Sequence, residues 1–489
     1  MDRDLVVGID SSTQSTKAVA WDQSGQAVAE GRAPIPLSAP RAGWVEQDPA
    51  DWWRSTVTAL RAVAGAVDPQ RIAAIAVSNQ RETVAFFGAD GAPLCPAIVW
   101  LDTRAETVLQ RFATDMGAER LHQITGKPVD ITPVVYRLAW MRHHEPALLD
   151  RTAAILDVHG TLVRHLTGRA VASWTSADPF GVLDIRARDW SGEILAALSL
   201  RAAQFAPLAA PGTALGGVTE GAAAVTGLRA GTPVIAAGGD GQCAGLGVDA
   251  ARPGVVYLNL GTAQITGAYS PGPAISRNWR TMTAPTGEGY FLEGCQRAGT
   301  YFIDWVVKTL SGGDALEASF ERLGKAAAAL PVGSEGVDVL PYLSGCMDPH
   351  WAPKARAAFL GLAPEHGQAH IFRASLEALV LETARCVRAM DAGGLAPERI
   401  VAVGGGAQNP LWTGMVADAT GLPVDLSASV EASALGAGIT AAYAAGWFPD
   451  LATAAAAMSG VRARIAPDPA AAPAWAALAE RHDRAWRAP

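Results

Sequence analysis

The fold is decided by a stretch near the start of the chain, Leu5-Val6-Val7-Gly8-Ile9-Asp10-Ser11-Ser12-Thr13-Gln14-Ser15-Thr16-Lys17-Ala18-Val19-Ala20-Trp21. Two apolar runs flank a turn of small, hydroxyl-bearing residues, and a second turn at 22–25 precedes Ala27–Glu30. Apolar runs bounded by turn residues are typical of buried strands. The stretch therefore predicts a strand–turn–strand–turn–strand unit with a carboxylate, Asp10, where the first strand ends.

The same pattern returns at Gly254–Ala268, where an apolar run opens into Gly261-Thr262 and is followed by a second apolar run. Two such units, half a chain apart, predict two similar domains that face one cleft. A chain of 489 residues also exceeds what one hydrophobic core usually holds. The Gly-rich stretch 240–254 marks the predicted boundary, with domains over 1–245 and 246–489.

Other elements follow from local signals. Asp48 as a cap, Pro49 in the first turn and apolar residues at helical spacing predict a helix over 49–64. Ile72–Ser78 is predicted as a buried strand, and Thr83–Phe87 with Ala97–Trp100 as a hairpin. Further patterns predict helices near 297–309, 371–390 and 410–419 and a strand at Ile400–Val403.

Composition limits the class of protein. Hydrophobic residues make up 49% of the chain and charged residues 18%, which is ordinary for a soluble globular protein. The net charge of −8, without a long basic run, argues against a nucleic-acid partner. No apolar run reaches the roughly 18 residues of a membrane helix, and the first residues do not resemble a signal peptide. We therefore expect no membrane partner. The five cysteines fit neither a disulfide framework nor a zinc site, and we expect a cytoplasmic protein.

Three turns rich in Gly, Ser or Thr each follow an apolar strand. Small residues let backbone N–H groups approach phosphate oxygens, and a carboxylate at a strand end can hold Mg²⁺ or accept a hydroxyl proton. None of the turns matches the P-loop or the dinucleotide fingerprint. Together they predict a nucleotide cleft. They are Asp10–Lys17, Gly238-Gly239-Asp240-Gly241-Gln242 and Gly404-Gly405-Gly406-Ala407-Gln408-Asn409.

One long segment carries a specific resemblance. Ala357-Ala358-Phe359-Leu360-Gly361-Leu362, followed after seven residues by His370-Ile371-Phe372-Arg373-Ala374-Ser375-Leu376-Glu377, resembles the C-terminal signature of the FGGY family of carbohydrate kinases. The N-terminal signature is looser, at Tyr136-Arg137-Leu138-Ala139-Trp140-Met141, where Tyr136-Arg137 replaces the usual Pro-Lys or Thr-Lys. The resemblance spans 5–446. It implies an α/β fold of two ribonuclease H-like domains, of the actin and hexokinase type, around an ATP cleft.

The resemblance also implies an activity and residue roles. The activity is ATP-dependent phosphorylation of a small sugar, with Mg²⁺, and Asp240 is its general base. Asp10 and Asp240 are the implied metal carboxylates. Ser12 stands where many family members have Gly, so the detail of the first phosphate turn differs from the family pattern. The implied ATP-binding residues are Thr13, Ser15, Lys17, Gly261, Thr262, Gly299, Gly405, Gly406 and Asn409.

Two signals indicate different acceptors. Ser78-Asn79-Gln80-Arg81-Glu82-Thr83 resembles glycerol kinases, and a guanidinium donor beside a carboxylate suits a vicinal diol. Segments 340–345, 404–412 and 431–438 instead resemble xylulokinases. We therefore expect a pentulose such as D-xylulose as the acceptor, with glycerol or another short polyol or tetrose as the alternative. The predicted acceptor-binding residues are Arg81, Glu82, Thr132, Asp240 and Gln242.

A third hypothesis is a non-catalytic, actin-like protein that binds a nucleotide or a sugar. Such a protein would keep the phosphate turns and lose the acceptor base. Asp240 and the Arg81-Glu82 pair are both present, which favours an enzyme. The resemblance further implies a homodimer.

Overall fold

The fold is built on two large sheets, one in each half of the chain. A computed structural model describes residues 3–312 and 315–487. The N-terminal sheet has six strands, in the order Ala214–Gly217, Pro233–Gly239, Ile72–Asn79, Leu5–Ser11, Ser15–Trp21 and Ala27–Pro34. The C-terminal sheet has seven, in the order Arg280–Thr283, Tyr290–Gln296, Gln264–Ser270, Val255–Leu260, Arg399–Val403, Val424–Ser427 and Val461–Ile465.

The two sheets share one topology. In each, the first strand pairs antiparallel with the second strand of its hairpin and parallel with a strand from much later in the chain. A further parallel strand and an antiparallel edge strand complete each sheet on that side. The internal repeat and the α/β architecture with two domains are therefore confirmed. The C-terminal sheet carries one additional edge strand, Arg280–Thr283.

Helices cover both sheets, and the four helices predicted from sequence are present. Pro49–Ala66 begins after Asp48, whose Oδ1 accepts a 2.9 Å hydrogen bond from the N–H of Ala50 and so satisfies a donor that the helix leaves free. In the described parts of the chain, no helix is long and apolar enough to cross a membrane. The other N-terminal helices are Glu106–Met116, Ala118–Thr125, Val134–His144, Pro146–Arg151, Val158–Thr167, Trp174–Ala177, Gly192–Ala197, Glu220–Thr226 and Asp240–Gly247. The C-terminal helices are Thr300–Leu310, Leu316–Ala328, Gln368–Ala392, Pro410–Thr420, Ala432–Ala444, Leu451–Met458 and Ala472–Arg487.

Two helices from the end of the chain pack on the N-terminal sheet. Leu435 and Ile439 of Ala432–Ala444 share a buried core with Val6 of the first strand, and Leu451–Met458 extends the same core. Burial of apolar side chains contributes about 25 cal/mol per Å², so these two helices stabilise a sheet that was completed far earlier in the sequence. The two halves of the chain therefore share one buried hydrophobic core in addition to their covalent connection.

The helix Asp240–Gly247 crosses Ala432–Ala444 at very short range. A Cβ atom added at Gly436 would lie 1.9 Å from the carbonyl oxygen of Cys243, a distance that real Cβ atoms do not adopt. The crossing therefore requires a hydrogen atom in place of a side chain at position 436. The predicted domain boundary at residue 245 falls within Asp240–Gly247, and the division into 1–245 and 246–489 stays a prediction.

The predicted hairpin of Thr83–Phe87 with Ala97–Trp100 is present in part. Val84 and Ile98 form an antiparallel bridge with hydrogen bonds of 3.1 and 2.9 Å in both directions, and Phe87 bridges Pro93. The strands Ala85–Phe87 and Ala97–Ile98 also pair with segments far away in sequence, which the local turn pattern does not reveal. The short two-stranded sheets are Ala85–Phe87 with Ala154–Leu156, Ala97–Ile98 with Glu46–Gln47, Ala172–Ser173 with Leu208–Ala209, Leu183–Asp184 with Asp189–Trp190, and Asp338–Leu340 with Ala358–Leu360.

Candidate active site

Three parallel strands of the N-terminal sheet end side by side and bring the predicted acids together. Asp10 lies opposite Ser78 in the register, and Gly239, which precedes Asp240, lies opposite Asn79. In α/β sheets, ligands bind at the carboxyl ends of parallel strands. This edge therefore gathers Asp10, Arg81, Glu82 and Asp240, which are far apart in sequence.

Asp240 is the first residue of the helix Asp240–Gly247, and its side chain is 37% exposed. The Nε of Arg81 lies 3.0 Å from its Oδ1, and the N–H of Gly241 donates to the same oxygen at 2.8 Å. Burial raises the pKa of Asp240, while the charge of Arg81 acts in the opposite direction. The result is a carboxylate with increased basicity that keeps contact with the cleft.

Arg81 and Glu82 are linked through two residues of the C-terminal sheet. Nη1 of Arg81 lies 2.6 Å from Oε2 of Glu293, and Arg280 donates to Glu293 and, at 2.7 Å, to Oε1 of Glu82. The four side chains are buried, with Glu293 fully so. Asp240, Arg81, Glu293, Arg280 and Glu82 thus form a chain of alternating charges, which we name the cross-cleft ion chain.

Sequence analysis missed Arg280 and Glu293. Both lie on strands whose other residues are largely apolar or uncharged, Arg280–Thr283 and Tyr290–Gln296, and all residues of both strands are buried. Charged residues are almost never fully buried unless they are paired. A single acid or base in a buried strand is therefore the signal that indicates a partner across the fold, although it does not say which one.

Gly241 allows the close approach of the helix start to the ion chain. A Cβ atom at this position would lie 2.8 Å from Oε2 of Glu293 and 2.9 Å from Nη2 of Arg81. Contacts below 3.0 Å force one group to move. The Gly that follows Asp240 therefore serves packing against the charged groups of both domains.

Glu82 has a strained backbone that Arg137 holds in place. Its φ of 52° lies in the left-handed region, which is uncommon for residues other than Gly. Arg137 is fully buried and donates to the carbonyl oxygens of Glu82 at 3.2 Å, Thr132 at 2.6 Å and Trp100 at 2.8 Å. Burial lowers the pKa of Arg137 to about 10. The unusual Arg of the N-terminal signature thus ties together the backbone around the predicted acceptor site, a role that sequence analysis did not assign.

Two predicted acceptor residues have their side chains engaged by the protein. The Thr132 hydroxyl donates to Oδ2 of Asp130 at 2.8 Å. The amide of Gln242, fully buried, accepts from Arg81 at 3.1 Å and donates to the carbonyl of Thr175 at 3.0 Å. Both residues therefore support neighbouring groups, and their direct contact with an acceptor stays a prediction.

The first phosphate turn connects both halves of the molecule. Thr13 Oγ1 accepts a 2.8 Å hydrogen bond from Nε1 of Trp100, and Ser15 is buried at the start of the second strand. Lys17 extends to Glu431, with Nζ 2.6 Å from Oε1. Because Glu431 immediately precedes the helix Ala432–Ala444, the predicted phosphate lysine pairs with the C-terminal half.

The second group of predicted nucleotide residues lies at the equivalent edge of the C-terminal sheet. The N–H that follows Gly299 donates to the carbonyl of Gly261 at 2.8 Å, which places Gly299 beside the Gly261-Thr262 turn. Thr262 and Gly405 are exposed, and a Cβ atom at Gly405 would meet nothing within 4 Å. Gly406, in the same turn, is buried.

Asn409 caps the helix that follows this turn. Its Oδ1 accepts from the N–H groups of Leu411 at 3.0 Å and Trp412 at 3.2 Å. The Asn409 cap therefore fixes the turn from Gly404 to Asn409 at the start of a helix, and the surface at Gly405 is open to solvent. This geometry fits a nucleotide.

Asp10 is the second carboxylate of the site. Burial, with the charge of Asp240, raises its pKa to about 7, and the Ser78 hydroxyl donates to it at 3.2 Å. No cluster of three or more metal-ligating side chains occurs among residues 3–312 and 315–487. Mg²⁺ usually takes one or two carboxylates together with water and substrate phosphates, so Asp10 and Asp240 fit this ion in the presence of a nucleotide.

The raised pKa of Asp10 predicts a pH dependence of stability. The folded protein holds the Asp10 proton between the ordinary pKa of 3.8 and about 7, so the free energy of unfolding falls as pH rises through this range and is level above it. Asp10→Asn cannot ionise and lacks this contribution. We expect the melting temperature of the unliganded wild type, relative to Asp10→Asn, to fall between pH 5 and pH 7.5 in a scan by differential scanning fluorimetry. Parallel curves for the two proteins would contradict the raised pKa.

Comparison with known proteins supports both halves of the fold. Residues 5–247 match the N-terminal domain of the FGGY family of carbohydrate kinases, and residues 256–445 match its C-terminal domain. The xylulose kinase of Bacillus subtilis is 28% identical over 450 residues, which cover 91% of this chain and 89% of that protein. The glycerol kinase of Aromatoleum aromaticum is 32% identical over 462 residues, covering 90% and 89%. The crystal structure of xylulose kinase from Rhodospirillum rubrum superposes with a TM-score of 0.92 at 29% identity, covering 99% of this chain and 98% of that one. The two halves of this chain match the two family domains in order and along most of their length. This chain belongs to the FGGY family of carbohydrate kinases.

Proposed function

We propose that the protein transfers the terminal phosphoryl group of ATP to a hydroxyl of a neutral pentulose such as D-xylulose, with Asp240 as the general base. The observation that carries the proposal is the position of Asp240. Its carboxylate, paired with Arg81 at 3.0 Å, remains partly exposed at the strand edge that also carries Asp10 and the first phosphate turn. Similarity to xylulose kinases over about nine-tenths of the chain supports the pentulose.

Asp240 acts on the acceptor hydroxyl. As the new bond forms between the acceptor oxygen and phosphorus, the hydroxyl proton passes to Asp240, and the bond from phosphorus to the leaving oxygen of the nucleotide breaks. ATP supplies the phosphoryl group, and Mg²⁺ held by Asp10 and Asp240 would neutralise its charge. Lys17 and the N–H groups of the Gly261-Thr262 turn bind phosphate oxygens. Gly405 leaves room for the nucleoside, and Gly406 lets the same turn pack closely on Trp412 and Leu260. Most of the remaining rate enhancement comes from the orientation of the bound acceptor and ATP by the protein.

Glycerol, or another short polyol or tetrose, is the second candidate acceptor. The Arg81-Glu82 pair favours it, since both side chains lie in the cross-cleft ion chain at the same edge as Asp240. Glycerol kinases 31–32% identical to this chain also support it. We further propose that the enzyme acts in the cytoplasm, as its five free cysteines suggest, and that it forms a homodimer.

The cross-cleft ion chain predicts a preference for neutral acceptors. It contains two cations and three anions, and both guanidinium groups already contact carboxylates. A sugar acid would bring a further negative charge next to groups that offer it no unpaired cation, which is costly in a buried site. We expect gluconate to be phosphorylated with kcat/KM at least about tenfold below that of the best neutral acceptor.

The test is an acceptor panel with Mg-ATP and a coupled assay of ADP release. It includes D-xylulose, D-ribulose, glycerol, erythrulose and gluconate, each compared with ATP hydrolysis without acceptor. Highest kcat/KM on a pentulose supports the first candidate, and highest kcat/KM on glycerol supports the second. Nucleotide binding without turnover on any of them would overturn the proposed function, and efficient turnover of gluconate would contradict the charge argument alone.

A further inference from the structure

We propose that Glu293 and Arg280 are positioning residues of the acceptor site, which the C-terminal sheet supplies across the cleft. The proposal rests on the proposed function of Asp240 and Arg81. It assigns the two residues no contact with the reacting atoms. Their task is to fix where Arg81 and Glu82 present their remaining polar atoms.

The geometry around Arg81 supports this assignment. Its Nη1 contacts both Glu293, at 2.6 Å, and Gln242, at 3.1 Å, while its Nε faces Asp240 at 3.0 Å. A planar guanidinium held on two sides by fixed acceptors has little rotational freedom. Glu293 therefore determines how closely Arg81 approaches Asp240.

Arg280 performs the corresponding task for Glu82. It donates to Oε1 of Glu82 and, through its other terminal nitrogen, to Glu293. Glu82 has a left-handed φ of 52°, and a strained residue keeps its conformation only where its surroundings fix it. Arg280 holds the side chain of Glu82 while Arg137 holds its carbonyl oxygen.

A connection between domains follows from these contacts. Arg81 and Glu82 belong to the N-terminal half, whereas Arg280 and Glu293 lie on neighbouring strands of the C-terminal sheet, directly opposite each other in the register. The acceptor site is therefore complete only while the strand Arg280–Thr283 is docked on the N-terminal half. Affinity for the acceptor includes the free energy of that docking.

A merely structural ion pair would have different consequences from a positioning pair. Glu293 is a fully buried carboxylate that lies between Arg81 and Arg280. Removing its charge takes from Nη1 of Arg81 one of its two acceptors, so the guanidinium is no longer held at one place. A positioning role therefore predicts weaker binding of the acceptor with unchanged binding of ATP, which loss of stability alone does not produce.

The test compares Glu293→Gln and Glu293→Asp with the wild type, using the best neutral acceptor from the panel. We expect Glu293→Gln to raise the acceptor KM about tenfold with the KM for ATP unchanged. The kcat at saturating acceptor should stay within about threefold of wild type, because the base Asp240 is unchanged. Glu293→Asp keeps the charge on a shorter side chain, so its acceptor KM should lie between those of the wild type and Glu293→Gln.

Asp425→Asn is the matched control. Asp425 is fully buried on the strand Val424–Ser427 of the same sheet and pairs with Arg399 at 2.7 Å and with Arg464 at 2.6 Å, without contacting the cross-cleft ion chain. We expect this variant to lose thermal stability and to keep the wild-type KM for the acceptor.

The outcomes distinguish a failure of the proposed function from a failure of the positioning role of Glu293 and Arg280. If the wild type phosphorylates no acceptor, the proposed function fails and this inference falls with it. If the wild type is active and folded Glu293 variants keep its acceptor KM, the inference alone is overturned. Should Glu293→Gln fail to fold, Glu293→Asp decides through KM, since its charge is retained. A rise of the acceptor KM in Asp425→Asn equal to that in Glu293→Gln would also overturn it.

Discussion

Asp240→Asn is expected to lower kcat by about 10²- to 10⁴-fold, the usual contribution of a positioned general base. Asn has almost the same shape and keeps the oxygen that accepts from the N–H of Gly241, but its amide cannot take a proton from the acceptor. Nucleotide affinity should stay within about twofold of wild type, because the turns at Gly261 and Gly405 are untouched. Steady-state kinetics with saturating acceptor, together with calorimetric titration of ADP, measures both quantities.

Asp450→Asn is a suitable control for that change. Asp450 caps the helix Leu451–Met458 by accepting from the N–H of Thr453, and Asn caps helices about equally well. It should therefore have wild-type kinetics. If Asp240→Asn retained more than about one-tenth of wild-type kcat, Asp240 would not be the base, and the geometry of the site would need another proton acceptor.

Arg81→Ala is expected to raise the acceptor KM by about 10- to 100-fold, which corresponds to the loss of one charged hydrogen bond. The variant also leaves Asp240 without its cation, so the pKa of Asp240 should rise and the acid limb of kcat/KM should move to higher pH. Arg81→Lys keeps the charge but not the planar fork, so it should give an intermediate KM.

Arg71→Ala serves as the control for Arg81. Arg71 forms a pair with Asp4 in which both side chains are more than one-third exposed, and exposed pairs of this kind contribute little. Its kinetics should match the wild type. An Arg81→Ala protein that is less stable but has an unchanged acceptor KM and pH profile would show that Arg81 only supports the fold.

Short sequence patterns were sufficient to predict those elements of the fold that form from neighbouring residues. The two hairpins with their turns, the capped helix after Asp48, and the acids Asp10 and Asp240 at strand ends all follow from runs of a few residues. Parallel pairing then brings those strand ends together, so the predicted acids meet at one edge. The repeat predicted two similar domains, and the resemblance to the FGGY family implied their α/β architecture.

The remaining features depend on contacts between distant parts of the chain. Glu293 meets Arg81 across 212 positions, and Arg280 meets Glu82 across 198, so no spacing rule connects them. Arg137 donates to four carbonyl oxygens from three separate segments, those of Glu82, Trp100, Asp102 and Thr132. The two strands of the predicted hairpin after Thr83 meet only at isolated bridges, and each also pairs with a distant strand that sequence adjacency does not indicate.

The packing of Ala432–Ala444 and Leu451–Met458 on the N-terminal sheet has a consequence for biosynthesis. The sheet leaves the ribosome early, yet the face that Leu435 and Ile439 cover stays open until residue 458 has been translated. At elongation rates of about 5 to 20 residues per second, the intervening two hundred or so residues take about 10 to 40 s. Nascent chains therefore carry an uncovered apolar surface for much of their synthesis, and we expect them to be clients of ribosome-associated chaperones.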